Sequence, residues 1–356
     1  MDKLWEISPF SMDKQEKSGF YSDKLVELTE KHIAGCEPYQ RFLKNLGFSP
    51  DRRYKPEEYP FVPVRLFKDY ELLSVPEEEI IKTMTSSGTT GQKVSKIFLD
   101  RKTSANQTKA LVKITSEFLG KARLPMLIID SRKVVSDRRL FSARGAGIIG
   151  FSMLGHDLTY ALDENMELDI EKVKKFLGKH KGENIFLFGF TYMIWAHFYK
   201  KLAALNEKID LSKGILLHGG GFKKLQEESV DNETYKSELN RICGIEKVYN
   251  YYGMVEQTGS IFMECEHGRL HASNFSDIFI RKPKDFSLCK KGERGLIQLV
   301  SILPESYPGH SILTEDIGEL TGEDDCPCKR HGKTFKIHGR IKKAEVRGCS
   351  DTYEQR

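Results

Sequence analysis

Residues 125–130 read Pro-Met-Leu-Ile-Ile-Asp. A short run with no polar interruption suits a strand buried on both faces, as in a parallel sheet covered by helices. The same signature recurs at 184–189 (Asn-Ile-Phe-Leu-Phe-Gly), 213–218 (Lys-Gly-Ile-Leu-Leu-His) and 247–252 (Lys-Val-Tyr-Asn-Tyr-Tyr). Helical patterns at 169–181, 191–205 and 234–243 fall between these runs. The alternation predicts an α/β fold, a doubly wound, mainly parallel sheet with helices on both faces. Ligands of such sheets sit beyond the carboxyl ends of the strands. That rule marks the turn after Asp130, the loop from His218 through Gly219, Gly220, Gly221 and Phe222 to Lys223, and the stretch from Tyr252 to Glu256.

Toward the N-terminus, Tyr21, Leu25, Leu28, His32 and Cys36 recur at helical spacing, and Phe42, Leu43 and Leu46 continue it after Pro38. Five prolines punctuate residues 50–76 and predict an irregular arm. Residues 103–119 read as a helix with Ser104 or Asn106 near its cap. Beyond residue 260, short strand-like pieces at 295–301 and 311–316 predict a β-rich subdomain. The expected organisation is an N-terminal arm (1–75) packed on the core, an α/β nucleotide-binding core (76–260), a smaller β-rich subdomain (261–338) and a C-terminal tail (339–356).

The 356 residues can bury a large core, and 39% hydrophobic with 30% charged residues is the balance of a globular protein. A net charge of +5, carried by scattered basic residues, does not imply nucleic acid. No apolar run approaches the length of a membrane span. Asp2, Lys3 and Glu6 exclude a signal peptide at residues 1–10. Seven thinly spread cysteines fit free thiols in a reducing compartment, so the expected location is cytoplasmic.

The densest polar motif is Thr-Met-Thr-Ser-Ser-Gly-Thr-Thr-Gly-Gln-Lys-Val-Ser-Lys-Ile at 83–97. Ser86, Ser87, Thr89 and Thr90 alternate with Gly88 and Gly91, and Lys93 follows. Glycines expose backbone N–H groups and hydroxyls add donors, so the loop can wrap a phosphate chain. It is not the Walker spacing. Isolated Ser/Thr/Gly clusters are usually plain surface loops; here the downstream motifs favour the phosphate reading.

Gly219, Gly220 and Gly221 permit close backbone approach to a flat ligand, although a glycine triplet alone is commonly just a turn. Tyr252 and Gly253 end a strand with an aromatic platform on which adenine can stack. Glu256, a few residues on, can hold Mg²⁺ against phosphate oxygens. Asp316 precedes Gly318 at an expected strand end, where a carboxylate can accept both hydroxyls of a ribose. Arg340 lies in a basic turn that can face a phosphate. Cys326-Pro-Cys328 and the pair Cys265 and His267 can form a tetrahedral structural Zn²⁺ site, with His331 as a spare ligand; the plain alternative is free cysteines in the β-rich subdomain.

Five ordered motifs then carry a resemblance. They are Thr-Ser-Ser-Gly-Thr-Thr-Gly at 85–91, His-Gly-Gly-Gly-Phe-Lys at 218–223 and Tyr-Tyr-Gly-Met-Val-Glu-Gln at 251–257. Pro-Gly-His-Ser-Ile-Leu-Thr-Glu-Asp-Ile-Gly at 308–318 and Gly-Arg-Ile-Lys-Lys-Ala-Glu-Val-Arg-Gly-Cys-Ser-Asp at 339–351 complete the set. Together they resemble the adenylate-forming superfamily. The closer likeness is its acyl-protein synthetase (LuxE-type) branch, related to phenylacetate-CoA-ligase-like proteins. The resemblance implies ATP- and Mg²⁺-dependent conversion of a fatty or other carboxylic acid to acyl-AMP. It further implies transfer to a protein cysteine and delivery to an acyl-CoA-reductase-type partner.

Cys349 occupies the place of the family's acyl-accepting cysteine, and Arg347, Lys342 and Lys343 would favour its thiolate. Two departures matter. Val255 stands where many members have Thr, removing a phosphate-facing hydroxyl. The tail after Arg340 is too short for the full mobile C-terminal domain and its adenylation lysine, so Lys342, Lys343 or Lys93 is left to supply positive charge. Two alternatives stay open: acyl or aryl transfer to coenzyme A or a carrier-protein thiol, and a non-catalytic nucleotide-binding subunit of a reductase complex.

Overall fold

The computed structural model describes residues 2–86, 93–136, 143–205, 208–222 and 229–341. They divide into two compact units. One holds the described residues of 1–86, 91–117 and 253–345, and the other those of 118–252. The division is interleaved where the sequence suggested a linear series, because the N-terminal segment groups with residues 253–341.

In the first unit, helix Lys14–Gly35 opens with a capping box: the Asp13 side chain accepts from Glu16 N–H and the Glu16 side chain from Asp13 N–H. Its buried stripe includes Tyr21, Leu25, Leu28 and His32, the spacing read from sequence. Helix Glu37–Asn45 follows, with a proline in its first turn where no N–H is needed. Strand β1 (Val62–Pro63) pairs in parallel with residues 312–313. Strands β2 (Ile80–Thr85) and β3 (Lys96–Asp100) form a separate antiparallel pair that brackets the hydroxyl-rich motif. Tyr39, Leu43, Val62, Phe67 and Leu72 share a core with Ile97 and Leu99 of β3 and with Ile312. Each such side chain stabilises the unit by about 1.5–3 kcal/mol through apolar burial.

Helix Arg101–Leu119 begins earlier than its pattern suggested. Its cap is Asp100, whose carboxylate accepts from Thr103 N–H at 2.7 Å, so neither Ser104 nor Asn106 performs that role.

The second unit is the parallel sheet. Strands β4 (Leu124–Ser131), β5 (Gly155–Leu162), β6 (Ile185–Phe190), β7 (Gly214–Gly219) and β8 (Lys247–Tyr252) lie in the order β8-β7-β6-β4-β5, every neighbour parallel. β6 and β7 are buried along their whole length, as their unbroken apolar runs require. β5 went unread in the sequence because it is an edge strand whose first half is polar and exposed. Helix Ile170–Lys179 is capped by Asp169, and helix Asn232–Cys243 starts at Asp231 and ends at Gly244 in the left-handed conformation. Strand order reverses at β4, which has β5 on one side and β6 on the other, so the switch-point crevice opens at Asp130 and Ser131.

The chain then returns to the first unit with β9 (Phe262–Glu264), β10 (Leu270–His271), β11 (Ser276–Arg281), β12 (Arg294–Ser301), β13 (Ser311–Glu323) and β14 (Lys333–Arg340). These are ordered β11-β12-β13-β14-β10-β9, with the β1 contact on β13. The β-rich character matches the sequence reading, but β13 does not stop at Asp316. It runs on to Glu323, and its register against β14 shifts between Ile317 and Gly318. Asp316 is therefore mid-strand beside an irregularity, a position that re-aims a side chain. Among the described residues, no helix is long and apolar enough to cross a membrane.

Candidate functional site

In the first unit, the neck of the hydroxyl-rich loop is pinned by two hydrogen bonds. Ser86 N–H donates to Ser95 O at 3.1 Å, and Ser95 N–H donates to Ser86 Oγ at 2.9 Å. Ser87, Gly88, Thr89, Thr90 and Gly91 lie outside the described residues. Lys93 is largely exposed, with its Nζ 3.5 Å from Asp69 Oδ1.

Glu256 sits in a 3₁₀ turn (Val255–Gln257) and is buried. The turn is held from two sides. The Tyr307 hydroxyl donates to Glu256 O at 2.9 Å and accepts from Gln107 Nε2 at 3.1 Å. Gln257 Nε2 donates to Gly309 O at 2.8 Å and Leu299 O at 3.2 Å. Burial pushes the Glu256 carboxyl above its ordinary range; the Arg340 charge pulls it down and Asp316 pushes it up. That carboxyl therefore responds to both members of another pair. Arg340 Nε donates to Asp316 Oδ1 at 2.9 Å, across β13 and β14 at positions in register. The guanidinium read as facing a phosphate is thus engaged with the carboxylate read as facing a ribose, a charge-assisted bond that fixes both. Lys342, Lys343 and Cys349 lie outside the described residues.

In the second unit, the carboxyl end of β7 is built around His218, which is buried. The Thr191 hydroxyl donates to Gly219 O at 3.0 Å, so His218 Nδ1, 2.9 Å away, donates to Thr191 Oγ1. His218 Nε2 then carries a buried lone pair with no hydrogen-bond partner among the described residues. Burial lowers the ring's pKa to about 3, so it stays neutral.

The glycine triplet serves two purposes. Gly220 and Gly221 have φ of 87° and 62°, which favours glycine. Gly219 has no such φ, but a Cβ there would lie 2.7 Å from the Tyr251 ring. The flat group that approaches Gly219 is thus the protein's own Tyr251, packed in turn on Phe151 and Phe188. Tyr252 is half-buried and belongs to the opposite face of β8.

Sequence reasoning missed a third feature of this unit. At the switch point, Arg144 Nε lies 3.1 Å from Asp130 Oδ2, and both residues are buried. Burial raises the Asp130 carboxyl to about 6, and the Arg144 charge only partly offsets it. The turn after Asp130 was marked by the strand-end rule, but nothing local identifies Arg144 as its partner.

The sulfur cluster also differs from expectation. The groups gathered within 4.8 Å of one another belong to Cys265, His271, Cys326 and Cys328. His267 is not among them: it lies in the β9–β10 turn, exposed, and only its backbone N–H reaches Cys265 Sγ, at 3.4 Å. The reason is strand alternation. Cys265 lies opposite Arg269, so Cys265 and His271 share one face of the hairpin as diagonal neighbours. His331 is also outside the cluster, 3.5 Å from Asp324. Burial, with the neighbouring Cys328 and Cys326, pushes the Cys265 thiol up to about 12. Burial lowers the His271 ring to about 4, so it is neutral.

The model of one protein family, acyl-protein synthetase, LuxE, matches residues 1–356. The chain belongs to that family. Membership makes it a ligase that joins an acid to a thiol. Two relatives named long-chain-fatty-acid--luciferin-component ligase are similar to it. The one from Vibrio harveyi is 22% identical over 367 residues, spanning 99% of this chain and 92% of that protein. The one from Aliivibrio fischeri is 26% identical over 345 residues, spanning 92% and 86%. Among solved structures, an open conformation of 2-hydroxyisobutyryl-CoA ligase in complex with 2-HIB-AMP and CoA aligns with a TM-score of 0.71. It is 16% identical, over 94% of this chain and 77% of that one, a likeness of fold. The LuxE-type resemblance and the mixed α/β architecture read from the sequence both hold.

Proposed function

We propose that this LuxE-family chain activates a fatty carboxylate with ATP and passes the acyl group to a protein cysteine. The observation that carries the reading is the convergence inside the first unit. Asp316 and Arg340 come from different motifs and meet in register at 2.9 Å, and both charges bear on the buried Glu256 carboxyl of a third. The family match and the relatives' names support a fatty acid as the substrate.

In this reading the hydroxyls and N–H groups of Ser86, Ser87, Gly88, Thr89, Thr90 and Gly91 take the phosphates of ATP, with Lys93 nearby as a cation. Asp316 accepts the ribose hydroxyls. Arg340, held by Asp316, supplies positive charge for phosphate. Of the residues assigned to adenine from the sequence, Gly253 belongs to this unit, and Tyr252 and Gly219–Gly221 belong to the other. Glu256 is a hard oxygen donor suited to Mg²⁺, which would neutralise phosphate charge when bound. Burial is the main effect disfavouring the Glu256 anion, and a cation beside it would restore that form.

The acid's carboxylate oxygen attacks the α-phosphorus, and the bond to the leaving pyrophosphate breaks. Lys342 is proposed to stabilise the charge that develops there. The Cys349 thiolate then attacks the acyl carbon; a C–S bond forms and the C–O bond to AMP breaks. A reducing, cytoplasmic setting would keep that thiol available. An acyl-CoA-reductase-type partner would take the acyl group from Cys349.

The test is incubation with labelled fatty acid and ATP. Hydroxylamine-labile label on the wild type and its loss in Cys349→Ser support the assignment. Unchanged label in the variant removes Cys349 as the carrier, and AMP release that requires coenzyme A moves the acceptor to that thiol. Absence of acid-dependent pyrophosphate–ATP exchange would leave only a nucleotide-binding subunit.

A further inference from the structure

We propose that Cys265, His271, Cys326 and Cys328 form a structural zinc site that staples the β9–β10 hairpin to the turn between β13 and β14. The spacing of the donor atoms is the first argument. A tetrahedral ion with Zn–S near 2.3 Å and Zn–N near 2.0–2.1 Å sets S···S edges of about 3.8 Å and S···N edges of about 3.5 Å. Cys265 Sγ lies 3.7 Å from Cys326 Sγ, and Cys328 Sγ lies 3.3 Å from His271 Nε2. A disulfide would require sulfurs at about 2.05 Å.

The chemistry of the set is the second argument. Three thiols and a neutral imidazole are the borderline-soft donors that zinc selects, and four protein ligands close the coordination sphere. Water is kept out. Cys265 and His271 are fully buried and Cys326 is 6% exposed. The Phe10 ring stands edge-on to His271, and His331 N–H donates to Phe10 O at 3.0 Å. Four protein ligands leave no open coordination position, the mark of a structural rather than a catalytic site.

The surroundings are the third. Binding replaces three thiol protons with one divalent ion, so the loaded site carries a net charge of −1. Cations stand beside it on both loops. Arg330 Nη1 lies 2.9 Å from Glu266, and Arg269 Nη1 lies 3.5 Å from Asp325. Both pairs cross from the β9–β10 turn to the β13–β14 turn, so the loops already face each other. Cys265 Sγ accepts the His267 N–H, a backbone donor of the kind that supports a thiolate.

The staple sits at the closed end of the hairpin whose other end carries Asp316 and Arg340. Asp316 lies about 23 Å along β13 from Glu323 by strand rise. Nine residues separate Glu323 from Lys333, and Asp324 and Lys329 in that turn have positive φ. Four ligands from two hairpins would hold the turn where its own backbone preferences do not.

The experiment measures metal in the purified full-length chain from zinc-supplemented cells, by mass spectrometry and a colorimetric zinc assay, alongside two histidine variants. One zinc per chain is expected in the wild type and in His267→Ala. His271→Ala should bind zinc more weakly by at least the roughly 10- to 100-fold that loss of a supporting hydrogen bond costs elsewhere. Zinc retained in His271→Ala and lost in His267→Ala overturns the ligand set. If His271→Ala does not fold, Co²⁺ added to the reduced, metal-stripped wild type decides. Tetrahedral d–d bands with thiolate charge transfer support the site; their absence, or a Cys265–Cys326 disulfide in place of metal, overturns it.

Discussion

Substituting Gly219 by Ala tests whether Tyr251, packed on that glycine, fixes the end of β8. The added Cβ would stand 2.7 Å from Tyr251 Cε1 and 2.9 Å from its Cδ1 and Cζ. Carbon contacts are best at about 3.5–4.0 Å, so the ring must retreat by roughly 1 Å. Retreat is obstructed by Phe151, whose ring centroid is 5.0 Å away, and by Phe188, stacked at 6.4 Å. Overpacking of this kind costs about 1–3 kcal/mol. Backbone strain does not contribute, because Gly219 is not in the left-handed region. Gly221 is the control: its φ is 62° and a Cβ there meets nothing within 4 Å among the described residues, so Gly221→Ala should cost about 1–2 kcal/mol through conformation.

Urea unfolding followed by Trp195 fluorescence, in a Trp5→Phe background, reports on the second unit, because Trp195 lies in its core and Trp5 stacks on Phe275 in the first. Removing the ring with Tyr251→Ala should erase most of the Gly219→Ala penalty, a coupling of about 1 kcal/mol or more. The Gly221→Ala penalty should be unchanged in that background. Equal Gly219→Ala penalties with and without the Tyr251 ring would refute the steric account.

Asp130 gives a pH-dependent prediction. Its carboxyl is raised to about 6, above the unfolded value of about 3.9, so the folded state binds more protons between those limits and loses stability as pH rises through them. Asp130→Asn removes this component, so the variant should gain on the wild type from pH 4 to pH 6; a constant difference in denaturant midpoint across that range contradicts it. Asp316→Ala removes the proposed ribose acceptor and the partner of Arg340. With charge-assisted hydrogen bonds contributing about 1.5–3 kcal/mol, KM for ATP in pyrophosphate exchange should rise roughly 10- to 100-fold. An unaltered KM would remove Asp316 from the nucleotide site.

What the sequence made legible follows from how local each signal is. β6 and β7 were readable because complete burial leaves no polar residue in the run. β5 was not, since an edge strand is held by backbone hydrogen bonds that leave its side chains free to be polar. The helix at 101–119 was visible but its start was misplaced: Asp100 belongs to β3 and caps the next element, a double duty that pattern alone does not separate. Site residues inside a motif were accessible; their partners were not. Glu256 and Asp316 could be named, whereas the burial that shifts Glu256 and the salt bridge between Arg144 and Asp130 depend on elements brought together only by folding.

The error at His267 has a different origin, because the information needed to avoid it was present. Grouping Cys265 with the nearest histidine treats sequence distance as spatial distance. In a tight hairpin the side-chain period is two, so the face of Cys265 is set by register: Glu264 pairs with Leu270, and Met263 with His271. A residue at the turn points away from that face, while one six positions on returns to it. The same logic joins Asp316 to Arg340 across β13 and β14, although they are 24 positions apart in sequence. These two clusters are therefore products of β-register. An insertion of one residue on either strand of β13–β14 would exchange the faces of the shifted strand. It should disrupt the cluster on that side of the insertion before it unfolds the sheet, whose neighbouring strands remain paired.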